Sequence, residues 1–264
     1  MPYLALAMRN VLIIVDSAIA SNSQPGALSG TTAQMVSALQ QAILQDAGEE
    51  KGDRPSPFQQ VQPEIASVQV INPAALMDKI TSGDLALSNY LLCPLTLHLP
   101  ETLVFPGQGV FQSCRTVEAL RQTVAVWGYP TGEGNYWLPV VLTAKGPLYA
   151  EVIGKRADQL GATGGSIHPT EAVRYVQPIH FTDAQRQSLY ELGYRLLRSL
   201  QATPSVYLMQ FGYEGQKLWF DRLFPFPATP AIASLKVQQP DLFTCHWRCL
   251  TNQPLRELSI SQAE

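Results

Sequence analysis

A chain of 264 residues, 46% apolar and 15% charged, is long enough for one large folded domain or two small ones with a real core. Its formal net charge of −3, with no local run of Lys and Arg, argues against DNA or RNA as a partner. The longest apolar run near the start, "NVLIIVDSAIA", is interrupted by Asp16 and too short for a transmembrane segment, while "MPYLALAMRN" lacks a basic leader and cleavage site, so a cytoplasmic soluble protein is expected.

In chain order, "NVLIIVD" (Asn10 to Asp16) is a continuous β-branched apolar run, as a buried parallel strand requires. The helix "TAQMVSALQQAILQ" follows, with Met35, Val36, Leu39 and Ile43 on one face. Residues 46–64, "DAGEEKGDRPSPFQQVQPE", are rich in Pro, Gly and charge and read as a flexible connector. "ASVQVIN" alternates like a strand, and "PAALMDKI" opens a helix with Pro73 in its first turn. Residues 1–100 therefore read as a small α/β unit.

From Glu101 the pattern changes. "ETLVFPGQGVFQSC" reads as two short strands around a Gly-x-Gly turn, followed by the helix "TVEALRQTVAVW". "YWLPVVLTA" and "GPLYAEVIG" form a hairpin through Lys145-Gly146-Pro147. Thr182 and Gln185 make a capping box for a helix whose apolar stripe runs through Leu189, Leu192, Gly193, Leu196, Leu197 and Leu200. "SVYLMQFGY" and "QKLWFDRL" pair through Glu214-Gly215. Hairpins interleaved with helices define an α+β domain over residues 101–264.

Local motifs give little chemistry. "FPGQGVF" has no third glycine at the dinucleotide spacing, and there is no phosphate loop, Gly-x-Ser-x-Gly elbow or His-Glu-x-x-His helix. His98, His168, His180 and His246 are scattered, with His168 in "TGGSIHP" the best placed to reach a pocket. "TCHWRC" lacks the ligands for a four-coordinate metal site, so Cys245, His246 and Cys249 read as packing, as do Cys93 and Cys114.

The order of elements from Glu101 to Leu235 resembles the catalytic half of ATP-grasp ligases, most closely the D-alanine–D-alanine ligase branch. "FPGQGVFQSCRTVEAL" is similar to the family's glycine-rich turn and helix, and "YWLPVVLTAKGPLYAEVIG" to its central hairpin. "VQPIHFTDAQRQSLYELGYRLLRSLQATPSVYLMQF" looks like its helix and penultimate strand. "LWFDRLFPFPATPAIASL" falls where the family places a Glu-x-Asn pair and a proline-glycine turn. The resemblance implies an ATP-grasp-like fold of mixed and antiparallel sheets with packed helices, and with it ATP and Mg²⁺ as candidate cofactors.

This sequence departs from the family at the ligands. Gln210 stands where the resemblance implies a metal-binding aspartate, Asp221-Arg222-Leu223 replaces Glu-x-Asn, and Phe105 replaces the phosphate-binding lysine. Asp221 is then the one candidate metal ligand, and Arg222 beside it competes for its charge. The expected function is a non-catalytic ATP-grasp-like protein, a pseudoenzyme, that binds a small molecule or nucleotide or acts on a protein partner as an assembly factor. The alternative is an ATP- and Mg²⁺-dependent carboxylate–amine ligase with an atypical metal site. Candidate ligand-binding residues are Lys145, Lys155, His168, Gln210, Asp221 and Arg222, and a plain ion pair at a strand end is the competing reading of Asp221 and Arg222.

Overall fold

Four consecutive apolar residues without a polar break, Val11 to Ile14, demand cover on both faces of a strand. In the computed structural model, which describes residues 9–16, 28, 30–48, 65–157 and 173–261, they form β1 (Arg9–Ile14), and all four are fully buried. α1 (Gly30–Gly48) follows and buries Met35, Val36, Leu39 and Ile43, the face that the period predicts. Asp46 to Gly48, at the head of the expected connector, are helical, and residues 49–64 lie outside the described residues.

β2 (Ile65–Ile71) leads into α2 (Pro73–Thr81), where the Asn72 side chain accepts the Ala75 amide at 2.8 Å and Pro73 opens the helix. β3 (Tyr90–Pro94) completes a parallel sheet of order β2-β1-β3. Periodicity does not find β3, because "YLLCP" is too short to show a period and ends on a proline.

The chain divides into two compact units, Met1–Gln108 and Gly109–Glu264. Near the division the expected pair of strands around Gly107 is absent: residues 101–107 are turn and loop, and a helix follows. Gly107 takes a left-handed turn (φ 87°), the Gln108 amide bonds back to the Phe105 carbonyl at 3.1 Å, and α3 (Gln108–Arg115) begins. Val110, Phe111 and Cys114 bury one face of this two-turn helix, and Phe111 stacks on Phe226. Helical spacing at i, i+1 and i+4 thus overrides the β-like composition of "VFPGQGVF".

α4 (Val117–Val126) is followed by the antiparallel strands β4 (Tyr136–Thr143), β5 (Gly146–Tyr149), β6 (Val152–Ala157) and β7 (Val173–Ile179). The expected hairpin is present, but its second arm breaks after Tyr149, so β5 and β6 pair with successive stretches of β4. β7 is not predicted. Pro178 within it has no amide to donate, and β7 accordingly lies at the sheet edge.

α5 (Asp183–Ser199) starts at the expected capping box and buries Leu189, Leu192, Gly193, Leu196 and Leu197, with Leu200 half-buried at its end. β8 (Ser205–Glu214) and β9 (Lys217–Phe224) turn at Gly215 and finish the sheet order β7-β6-β4-β8-β9. A short 3-10 helix (Thr229–Ser234), β10 (Gln238–Gln239), α6 (Leu242–Leu250) and β11 (Ser259–Ile260) close the unit. The result is an α+β protein whose described residues form a three-stranded parallel sheet, a six-stranded antiparallel sheet and the small antiparallel pair β10-β11. No helix among the described residues is long and apolar enough to cross a membrane.

Candidate functional site

A strand puts successive side chains on opposite faces, so a carboxylate and an arginine side by side on β9 should part company. A bulge modifies this. Gln210 on β8 pairs with Arg222, while the next residue, Phe211, pairs with Phe220, leaving Asp221 as the extra residue of β9. Such an insertion re-aims the side chain it carries. Asp221 is turned inward and is 1% exposed.

Its carboxylate is fully engaged. Arg121 of α4 donates Nη2–H to Asp221 Oδ1 at 2.6 Å and Nε–H to the Asp221 carbonyl at 3.1 Å. Arg222 donates Nε–H to the same Oδ1 at 3.2 Å, and the Gly134 amide donates to Oδ2 at 3.0 Å. Gln210 completes the arrangement by donating to the Gly134 carbonyl at 2.6 Å. Both residues that the resemblance places at a metal therefore grip one glycine, Asp221 by its N–H and Gln210 by its C=O.

Only glycine fits there, because a Cβ on Gly134 would fall onto the Phe211 backbone. The segment leading to it is stitched along β9 as well. The Gly132 amide bonds to the Phe220 carbonyl at 2.9 Å, Phe220 bonds back to Pro130 at 3.0 Å, and Trp219 Nε1 donates to the Glu133 carbonyl at 2.8 Å.

Beside this clamp lies a pocket of about 350 Å³, within the size range of small-molecule sites. Lys155 of β6, Gln210 of β8 and Arg222 of β9 supply its polar wall, and Trp137, Tyr175 and Phe224 supply aromatic surface. Among the described residues, no Asp or Glu lines it. Among the described residues, neither Lys155 Nζ nor the two terminal nitrogens of Arg222 make a hydrogen bond or ion pair, so these donors remain for a ligand.

Three of the sequence-derived candidates, Lys155, Gln210 and Arg222, thus meet in one pocket, with Asp221 behind it as a buried anchor. Lys145 sits exposed in the β4–β5 turn and does not line the pocket, and His168 lies outside the described residues. Arg121, Gly134, Trp137 and Tyr175 are not found by sequence reasoning. Arg121 is the single cation of α4, and nothing local marks it as the partner of a residue a hundred positions away.

Mg²⁺ does not fit this arrangement. It requires several oxygen ligands in near-octahedral geometry, and both oxygens of Asp221 already accept hydrogen bonds, two of them from guanidinium groups. Nor do the described residues contain another group of three or more His, Cys, Asp and Glu able to hold a metal.

No protein-family model matches the sequence, and no curated protein matches it. Solved structures do. Glycinamide-RNase-transformylase T from Mycobacterium tuberculosis aligns with a TM-score of 0.62 at 15% identity, covering 94% of this chain and 80% of that one. N5-carboxyaminoimidazole synthetase from Staphylococcus aureus aligns with a TM-score of 0.64 at 10% identity, over 96% and 80%. Carboxyaminoimidazole ribonucleotide synthase from Aspergillus clavatus, solved with ATP, gives 0.61 at 10% identity over 95% and 78%. The fold is ATP-grasp-like. Identities this low carry the fold alone, so on this ATP-grasp-like frame the chemistry rests on the residues present.

Proposed function

We propose that this ATP-grasp-like protein binds a phosphate- or carboxylate-bearing small molecule, with nucleotides the first class to test, in the pocket between Lys155, Gln210 and Arg222. The observation that carries this reading is the convergence of two cations with donors to spare on a pocket that, among the described residues, no acid lines. An arginine fork and a lysine are suited to oxyanions, and the neighbouring Trp137, Tyr175 and Phe224 suit a ring or apolar body. Four buried cysteines, all unpaired, support a reducing, cytoplasmic compartment.

A second reading, ATP-dependent carboxylate–amine ligation, is favoured by the structural neighbours over a pure assembly role. They include several synthetases, one solved with ATP and two with ADP, and an L-amino acid ligase from Bacillus licheniformis. The lack of fit for Mg²⁺ at Asp221 weighs on the other side, and no catalytic step is assigned through that ion.

Melting-temperature shifts with ATP, ADP and AMP, each with and without Mg²⁺, test the binding reading, because a ligand selective for the native state raises its stability by mass action. A shift with at least one nucleotide is expected, and it should be lost in Arg222→Gln. ADP release when ATP is supplied with carboxylates and amino acids would establish the ligase reading. If nucleotides, inorganic phosphate and carboxylates all leave the melting temperature unchanged, the binding reading fails.

A further inference from the structure

The pocket and the clamp behind it form one electrostatic unit. The buried carboxylate of Asp221 meets two guanidinium groups, so one positive charge of the pair is left uncompensated, and Lys155 adds a second on β6. Arg121 matters most here. It takes Asp221 Oδ1 at 2.6 Å, whereas Arg222 approaches the same oxygen at 3.2 Å through Nε alone. Arg121 and the Gly134 amide thus satisfy the carboxylate, and Arg222, which lines the pocket with its side chain 39% exposed, keeps its terminal nitrogens out of that pair. A divalent cation entering this pocket would meet Arg222 and Lys155 and, among the described lining residues, no acidic side chain. An oxyanion would meet the donors it needs.

Resting on the binding reading above, we infer that the pocket takes the phosphate group of its ligand on Arg222 and Lys155 directly, without a divalent cation. Arg121 is the positioning residue of this site. By neutralising Asp221 it keeps Arg222 available, and without it the carboxylate would both hold Arg222 more tightly and offer an oxygen to a metal.

Calorimetric titration of the full chain with ADP, once in EDTA and once in excess MgCl₂, tests this. The expected result is an affinity in MgCl₂ no higher than that in EDTA, since Mg²⁺ competes for the same phosphate oxygens. Arg222→Gln should weaken ADP binding in EDTA by about tenfold or more, the scale of one charge-assisted bidentate contact. Arg121→Gln should lose affinity in EDTA and recover part of it in MgCl₂, a gain of metal dependence that simple loss of structure does not produce. Binding to the unsubstituted chain in MgCl₂ but not in EDTA would overturn the inference and leave the binding reading standing. Absence of binding by ADP, ATP, AMP and inorganic phosphate in both buffers would overturn both. The buffer comparison on the unsubstituted chain decides the matter even if the Arg121 variant does not fold.

Discussion

Asp221 is a carboxylate whose role depends on where its two oxygens go. At a strand end beside Arg222 it reads from sequence as a metal ligand or as half of an ion pair, and the bulge in β9 brings it to Arg121 and the Gly134 amide. Removing one member of a buried pair leaves the other charge uncompensated, which costs about 3–5 kcal/mol. Asp221→Ala is therefore expected to lower unfolding stability in urea by that order. Asp221→Asn should lose less, because its single amide oxygen still accepts from one of the two donors, Gly134 or Arg121. An alanine variant as stable as the parent would show that the clamp contributes nothing. Asp221 is consequently a poor neutral probe of metal binding: its substitution perturbs the frame as well as any ligand. The residue types at the pocket were legible in sequence at Lys155, Gln210 and Arg222, since their strands were predicted. Which of them faced the pocket was not, because the one-residue shift at Gln210/Phe211 leaves no local signature.

At the scale of elements, legibility followed the length of the periodic signal. α5 carries five buried positions at helical spacing and both halves of its capping box, and it stands where the sequence places it. Thr182 accepts the Gln185 amide there, and Thr182→Ala is expected to cost about 1 kcal/mol. The check is equilibrium unfolding, with Thr182→Ser, which retains the cap, staying near the parent value. Short elements behaved differently. β3 offers too few residues for a period, β7 is interrupted by Pro178, and β3 too ends on a proline. α3 was misread as strands because valine and phenylalanine beside glycine suggest a β-turn, whereas burial of Val110, Phe111 and Cys114 selects a helix.

For the whole molecule, the ATP-grasp-like fold was legible from the order of its elements, although no single motif carries it. Global stability also has an acid-sensitive component at the joint between α6 and β8. His246 on α6 is buried, with Nδ1 3.2 Å from the Ser205 hydroxyl and 3.4 Å from the Val206 amide. Burial lowers its pKa from 6.5 to about 3, so the native state holds it neutral while the unfolded chain protonates it below 6.5. Its contribution is thus fully present above pH 6.5 and is lost as pH falls toward about 3. The slope is at most about 1.4 kcal/mol per pH unit from this group. His246→Gln should flatten the decline of the urea midpoint across that window, and an equally steep decline in the variant would assign the acid sensitivity elsewhere.

The sequence by itself determined the buried run of β1, the stripes of α1 and α5, the two hairpin turns and the α+β order, because each is written in neighbouring residues and needs only a period, a cap or a glycine. Tertiary structure alone decided that Gln210 and Asp221 close on Gly134 and that Arg121 reaches across to Asp221. Those partners are separated by 76, 87 and 100 positions, and their meeting depends on strand register and a helix's approach to a sheet, quantities that no local pattern encodes.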